Sequence, residues 1–551
     1  MRATNMKNSI LKTRLLAAVV AAMLLTVPAF AAAPGITGGA SATFNLQAAT
    51  AYINQPDGQM IYSWGYGCNG TAAGFLPSTI AGASCGTMQV PGPTLIVTEG
   101  QAVTVNLTNN LPVPAGNTSI LFPGFTVTPS GGVQGLLTQE AIHGGTVTYK
   151  FTASTPGTRA YYSGTQSDLQ VEMGMYGVII VLPAQPVAGA ACTNGDLQGS
   201  NATAQGQWGE SNFTLSTSAY DNPNTCYDRE YLFQFSEMDP NIHTQALLQL
   251  NAIAACTTAL CPTLQVPTEP YHPAYFMING RSMPDDMDPN YAPQYPHQPY
   301  NGDPHMHPGE LVLLRIVGQG RWQHPFHEHG NHVRILGRDG NLIQSATAAN
   351  SLAGPLLFTT TTTPGLAMDG IFYWTGRGLN WDAYGHTPGS ADPAAKLSCT
   401  PDANGYNTGA PTAINYFEWC QDHNKPLQAK PFGDVAANGP VTLPDANILT
   451  NGAWYGGSPY LGPDATTRST GCAPGTSYSA GAGSTSNQNC GATGSTPPSG
   501  TIANSPSGEA GFAFMWHSHN EREITTNNIF PGGMMMMMLV DSREFVIDET
   551  N

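Results

Sequence analysis

The chain has 551 residues, of which 62 are Gly, 44 are Pro and only 10% are charged. This length is too great for one hydrophobic core and predicts two or three domains, and the abundance of turn-forming residues favours β-structure over helices. The formal net charge of −17 argues against nucleic acid or anionic lipid as a partner.

The N-terminal segment has the order of a secretory signal peptide. Basic residues precede an apolar run from Leu15 to Val27, and small residues follow it up to Ala31. This run is too short to span a membrane. We therefore predict a signal peptide over residues 1–31 and export to the periplasm or the extracellular space. A retained N-terminal anchor is the alternative, and no later segment predicts a membrane span.

The cysteines agree with export. Disulfides persist in oxidising compartments, and an even number of cysteines in an exported chain favours disulfides over reactive thiols, although spacing does not fix their connectivity. The ten cysteines form five pairs of neighbours along the sequence: Cys68/Cys85, Cys192/Cys226, Cys256/Cys261, Cys399/Cys420 and Cys472/Cys490.

The first predicted domain covers residues 42–185, and a linker follows over 186–226. Short β-branched runs broken by Pro, Gly and Asn are typical of sandwich strands and turns. The stretches "PGPTLIVTEG", "VNLTNNLP" and "GMYGVIIV" resemble the first cupredoxin domain of the multicopper oxidases. That family is an array of Greek-key β-sandwiches, so the resemblance implies the same fold here.

The second predicted domain comprises residues 227–376 and 509–547. It contains "HPFHEHGNH" and, much later, "GFAFMWHSHNE", which resemble the family's two copper motifs. Between them, residues 377–508 are rich in Gly, Ser and Pro and predict a disulfide-stapled insertion. The predicted fold is thus all-β, with tandem cupredoxin-like Greek-key β-sandwiches and an insertion in the second. The alternative has three domains, with residues 399–540 as a separate sandwich.

The histidines are concentrated in two short motifs. Residues i and i+2 of a strand share a face, so His327 with His329, and His517 with His519, can each reach one metal neighbourhood. Imidazole is a good ligand for copper, zinc and iron. These four histidines are the main candidate metal ligands.

The resemblance implies a mononuclear blue-copper position at three further residues. His324 keeps the family's histidine, whereas Ser518 stands at the cysteine position and Glu523 at that of another histidine. A serine hydroxyl cannot supply the thiolate on which a blue centre depends. We therefore retain His324 as a candidate ligand, rank Glu523 second, and predict that the blue centre is absent.

The family's three-copper cluster also takes two His-x-His pairs from the first domain. This chain has "NTSILFPGF" over residues 117–125 and Ser163-Gly164-Thr165 in their places. The four remaining imidazoles suffice for one or two copper ions, not four. A decayed site, whose histidines only form hydrogen bonds, is the alternative.

Two other features are weaker candidates. His305 and His307 form a further His-x-His pair, which we rank second as candidate metal ligands. The alternative is that they belong to a solvated polar loop. The five methionines from Met534 to Met538 could offer thioethers to Cu(I). They align with the apolar run that closes the first domain, so we predict a strand buried on both faces.

The functional prediction is an exported, multicopper-oxidase-like copper-binding protein, an oxidoreductase with a reduced, non-blue histidine site. The alternative is a non-catalytic copper-binding, structural or interaction protein at the cell surface. Two-domain members of the family commonly form trimers, so the resemblance implies a possible homo-oligomer. The sequence indicates no substrate.

Overall fold

The structure is a computed structural model. It describes residues 33–78, 80–188, 191–192, 217–258, 260–306, 310–374, 400, 457–460, 511–540 and 547. The predicted signal peptide, most of the linker and most of the insertion lie outside these ranges. The predicted domain bounds therefore remain predictions.

The first sandwich is formed by two five-stranded sheets, ordered β11-β12-β5-β1-β4 and β3-β2-β6-β10-β7, with β8 and β9 as a separate hairpin. Along β6, Val103, Val105 and Leu107 alternate with more exposed residues, as expected for a strand with one face on the core. The strands are β1 (Gly35–Thr37), β2 (Thr43–Asn54), β3 (Met60–Cys68), β4 (Gly74–Leu76), β5 (Leu95–Thr98), β6 (Ala102–Asn109), β7 (Thr128–Gly131), β8 (Val133–Gln134), β9 (Gln139–Glu140), β10 (Thr146–Thr152), β11 (Gly157–Tyr162) and β12 (Tyr176–Leu182).

The second sandwich is formed by two sheets, and β13 and β14 form a separate two-stranded sheet. One sheet of the sandwich is ordered β16-β15-β18-β24-β20-β21, with β22 beside β20, and the other is ordered β17-β27-β26-β19-β23, with β25 beside β26. The strand that follows the insertion, β26, thus lies next to β19, which carries the first histidine motif. The strands are β13 (Thr217–Ser218), β14 (Cys226–Tyr227), β15 (Arg229–Met238), β16 (Tyr275–Ile278), β17 (His305–Met306), β18 (Leu311–Gly318), β19 (His324–Glu328), β20 (Val333–Arg338), β21 (Asn341–Leu342), β22 (Leu356–Leu357), β23 (Thr359–Thr362), β24 (Ala367–Tyr373), β25 (Gly457–Tyr460), β26 (Gly511–Ser518) and β27 (Met535–Val540).

Helices are few among the described residues, and one of them joins the two sandwiches. Helix α2 (Pro240–Ala254) begins after Asp239, whose carboxylate accepts a hydrogen bond from Asn241 N, and has Pro at its first position, the usual start signals of a helix. Its residues Ile242, Ala246 and Leu250 pack into the core of the first sandwich. In the described parts of the chain, the α-helices are α1 (Ser167–Gln170) and α2 (Pro240–Ala254), and the 3-10 helices are Gly39–Ser41, Val113–Ala115, Pro223–Thr225, Asp285–Met287 and Glu521–Ile524. Within the described ranges, no helix is long and apolar enough to cross a bilayer.

A buried polar network also links the sandwiches. Asp369 on β24 accepts hydrogen bonds from Thr158 N at 3.0 Å and Tyr220 OH at 2.6 Å. Arg315 on β18 pairs with both Asp369 and Glu230. Because a buried carboxylate is tolerated only when paired, this network fixes how β11 lies against β18 and β24.

Three of the predicted cysteine pairs are confirmed as disulfides, namely Cys68–Cys85, Cys192–Cys226 and Cys256–Cys261. The other four cysteines lie outside the described residues.

We expect peptide mapping under non-reducing conditions to find all five local pairs oxidised, including Cys399/Cys420 and Cys472/Cys490. The physical reason is that short loops close at low entropic cost and that an oxidising compartment keeps such bonds formed. Detection of several free thiols in unreduced protein would contradict both the stapled insertion and the predicted export.

Candidate metal centre

The candidate site is built on one pair of antiparallel strands, β19 and β26. Their register places His327 opposite His517 and Phe326 opposite Ser518. Because side chains alternate between the faces of a sheet, His327, His329, His517 and His519 share the outer face. His324 and Ser518 share the inner face with the core residue Phe326.

The four predicted histidines lie together on the outer face. The ring centroid of His327 lies 4.8 Å from that of His329, 5.6 Å from that of His517 and 4.9 Å from that of His519. The ring centroids of His329 and His517 are 5.1 Å apart. The two motifs, separated by almost 190 residues, therefore form one cluster of imidazoles.

One pair of nitrogens is already spaced as metal ligands would be. The Nε2 atoms of His329 and His517 lie 3.3 Å apart, and two nitrogens bound at about 2.0–2.1 Å to one tetrahedral ion are separated by roughly 3.3–3.4 Å. Among the described residues, no three His, Cys, Asp or Glu side chains yet surround one ion position. Binding an ion therefore requires a ring to rotate, and the exposed His519 has the freedom to do so.

Hydrogen bonds orient two of these rings. Nδ1 of His517 donates to the carbonyl oxygen of Ser518 at 2.7 Å, which leaves the lone pair on Nε2, the atom that faces His329. Nδ1 of His327 shares a hydrogen bond of 2.8 Å with Thr359 Oγ1 on the adjacent strand β23. A partner on one ring nitrogen fixes the tautomer and aims the other, as metal-binding histidines require.

The electrostatics favour neutral rings. Burial, together with the neighbouring His519 and His517, lowers the pKa of His327 to about 4. Burial also lowers the pKa of His517. Both rings are therefore neutral at pH 7, which is the form that binds a metal.

The inner face of the same strands carries a different arrangement. His324 is fully buried, with Nδ1 at 2.9 Å from Glu523 Oε2 and Nε2 at 2.9 Å from Glu237 Oε2. Ser518 Oγ donates to the same Glu523 oxygen at 2.5 Å. His324, Ser518 and Glu523 do meet, as the family resemblance implied.

This arrangement assigns His324 to an acid–base network. Burial opposes its positive charge, but the hydrogen bonds to Glu237 and Glu523 outweigh that cost and raise the pKa of His324 to about 9. Both ring nitrogens of a protonated His324 carry hydrogens directed at carboxylates, so neither is available to an ion. His324 and Glu523 are hydrogen-bonding partners of each other in this arrangement, and their role as metal ligands stays a prediction.

The network continues into the first sandwich. Glu237 also accepts hydrogen bonds from Arg321 N at 2.6 Å, Trp322 N at 2.8 Å and Tyr271 OH at 3.2 Å. Tyr271 OH has one proton for two carboxylates and lies closer to Glu172 Oε2, at 2.7 Å. Sequence motifs gave no signal for Glu237, Tyr271 or Glu172, since each lies far along the chain from the histidines.

The first sandwich has hydroxyl and carboxamide groups where the family has histidine pairs. Ser119 Oγ lies 2.9 Å from Thr165 Oγ1, which donates to Glu140 Oε1 at 2.9 Å. Ser163 Oγ donates to Gln170 Oε1 at 2.6 Å. Residues 117–125 and 163–165, the two segments aligned with the family's histidine pairs, therefore lie in contact. In the structure, hydroxyl groups, one carboxamide and one carboxylate form the hydrogen bonds at this position.

Of the second-ranked pair, His305 and His307, the described residue His305 does not belong to the four-histidine cluster. His305 lies on β17, opposite Leu539 of β27, with Nε2 at 3.2 Å from Asp303 Oδ2. It is therefore separated from β26 by the width of β27. His307 lies outside the described residues.

Comparison with known proteins finds two regions of this chain that match a known family. Family models described as multicopper oxidase match residues 84–186 and 267–365. The multicopper oxidase MCE of Talaromyces pinophilus is 35% identical over 102 residues, which are 18% of this chain and 16% of that protein. The laccase abr2 of Aspergillus fumigatus is 36% identical over 98 residues, 17% of this chain and 16% of that protein. The matched part of the chain thus spans about one sixth of the length of these relatives.

Among solved structures, the blue copper oxidase from Nitrosomonas europaea is similar with a TM-score of 0.41 and 15% identity, over 91% of this chain and 85% of that one. The copper nitrite reductase from the same organism is similar with a TM-score of 0.35 and 19% identity, over 61% of this chain and 86% of that one.

Proposed function

We propose that this chain, which belongs to the multicopper oxidase family, is an exported copper oxidoreductase with a reduced, non-blue histidine site. The observation that carries the proposal is the cluster of His327, His329, His517 and His519 on the outer face of β19 and β26. Family membership implies a copper cofactor, and imidazoles suit copper as ligands. We propose one or two bound ions rather than four.

The roles of the chain's own residues follow from their positions. The four imidazoles would hold the ion, and Ser518 O and Thr359 Oγ1 orient the rings of His517 and His327. A bound copper would supply one-electron redox chemistry. On the other face, Ser518 and Glu523 hold a protonated His324, so that position carries a positive charge without a metal.

A second candidate function is copper binding without catalysis, either as a carrier or as an interaction module. The specific observation in its favour is the same His324 position, which in the family receives electrons from substrate. Here the carboxylates of Glu237 and Glu523 contact His324, and Ser518 Oγ donates to Glu523. None of these groups is a thiolate. A route for electrons from substrate is then missing.

The proposal also includes export of the protein and its assembly into a homo-oligomer. The N-terminal segment and the local disulfides support export to the periplasm or beyond, and the family resemblance suggests a homo-oligomer such as a trimer. Elemental analysis of protein purified from its export compartment tests the metal content. An oxygen-consumption assay with phenolic and metal-ion substrates then separates the two candidate functions.

We expect the copper-loaded protein to lack the intense blue absorption of a copper thiolate, and we expect Ser518→Cys alone not to create it. In that variant Glu523 and Glu237 still occupy both nitrogens of His324, so the ion would lack imidazole ligands. The visible absorption spectrum after copper loading is the measurement. A strong blue band in the unmodified protein would contradict the disulfide assignment, because it requires a cysteine ligand.

A further inference from the structure

The methionine run of β27 divides between two faces. Met534, Met536 and Met538 are buried in the core of the second sandwich. Met535 and Met537 point the other way, as strand alternation requires, and Met537 is partly exposed. The prediction of a strand buried on both faces therefore holds at Met535, which is only 5% exposed, and is wrong at Met537.

Strand register places these two methionines beside the imidazole cluster. Met535 lies opposite His517, and Met537 lies opposite Met515. Met515 precedes His517 by two residues on β26, so it shares the outer face. Opposed residues of antiparallel strands have Cβ atoms about 4.5–5.5 Å apart, and residues two apart on a strand are separated by about 6.6–6.8 Å. The three thioethers thus form a compact group within reach of one another.

A fourth thioether lies at the edge of this group. The backbone N–H of Met537 donates to Met287 Sδ at 3.4 Å, so Met287 occupies the side of β27 that β26 does not cover. Methionine has three rotatable bonds and a polarisable sulfur, which allows neighbouring side chains to turn their sulfurs to a common point. Packing alone does not explain thioethers at Met515 and Met537, because both are partly exposed and lie outside the core cluster.

We propose that Met515, Met535 and Met537 form a binding site for a soft monovalent metal ion, cuprous ion by its chemistry, next to the imidazole cluster. Thioether ligands select Cu(I), whereas imidazole accepts Cu(II) as well. The surrounding protein has a net charge of −17, which favours cation binding. This site differs in ligands from the four-histidine site of the proposed function and does not depend on its occupation.

The test is a titration of the full-length protein with Ag(I), a redox-inert probe for cuprous sites, read by calorimetry and native mass spectrometry. The variant Met515→Leu/Met535→Leu/Met537→Leu removes the thioethers at nearly constant volume, a type of change that cores tolerate well. The matched control, Met534→Leu/Met536→Leu/Met538→Leu, removes the same number of thioethers from the core face of the same strand pair.

We expect the first variant to lose one equivalent of bound Ag(I), or to bind it at least roughly 10- to 100-fold more weakly, and the control to bind as the parent does. The single variants Met515→Leu and Met537→Leu, at partly exposed positions, provide the same test if the triple variant does not fold. Equal weakening in both triple variants, or no weakening in the first, would overturn the proposal. Loss of Cu(II) but not Ag(I) binding in His517→Ala/His519→Ala would support it, and would separate this site from the imidazole site.

Discussion

Replacing His517 and His519 with alanine is expected to remove most of the bound copper and to leave the fold intact. The double variant keeps only His327 and His329, two imidazoles from one strand, and two ligands are too few for a stable copper site. The core should be unaffected, because Phe514 and Trp516 pack on the inner face of β26 whereas both histidines lie on the outer face. Copper per chain by elemental analysis and the near-ultraviolet circular dichroism spectrum are the measurements.

A matched control for this variant is His332→Ala. His332 belongs to the same motif, but its ring contacts Phe358, with centroids 5.2 Å apart. We expect its copper content to equal that of the parent protein. Unchanged copper in the double variant would instead point to His305 and His307, and would favour a main cluster whose histidines only form hydrogen bonds.

The second large effect is expected for His324→Ala, which should destabilise the second sandwich by about 3–5 kcal/mol, the usual cost of removing one partner from a buried ion pair. The variant leaves the carboxylates of Glu237 and Glu523 buried without the imidazolium between them. For a domain of this size the loss corresponds to a fall in Tm on the order of 10 °C. The control is His143→Ala, since Nδ1 of His143 forms its hydrogen bond, at 2.7 Å, with the carbonyl oxygen of Leu111 rather than with a carboxylate.

The same residue predicts a pH dependence of stability. Since the pKa of His324 is raised to about 9, from an ordinary value of about 6.5, its contribution is fully present below about pH 6.5 and is lost as the pH rises through about 9. The Tm of the parent protein should therefore fall between pH 7 and pH 10 more steeply than that of His324→Ala. Parallel curves for the two proteins would show that the imidazolium is not the stabilising species.

Local patterns in the sequence already determine the elements of the site. A period of two places His327 with His329 and His517 with His519 on common faces, and the alternation along β6 predicts a one-sided strand. Closely spaced cysteines paired as expected wherever the structure describes them. Helix α2 also had its signals in the sequence, an aspartate before a proline, although the overall composition favours β-structure and outweighed them.

Register and long-range contacts were decided only by the tertiary structure. Whether Met535 or Met536 shares a face with His517 depends on how β27 pairs with β26, and a shift by one residue would exchange the two faces. His324 looks like a copper ligand in its motif, yet Glu237 and Glu523, which lie about 90 and 200 residues away along the chain, turn it into a buried imidazolium. The sequence thus determines which groups are available on each strand, and folding decides their partners, because hydrogen bonds and ion pairs depend on distances of a few ångströms that no local pattern encodes.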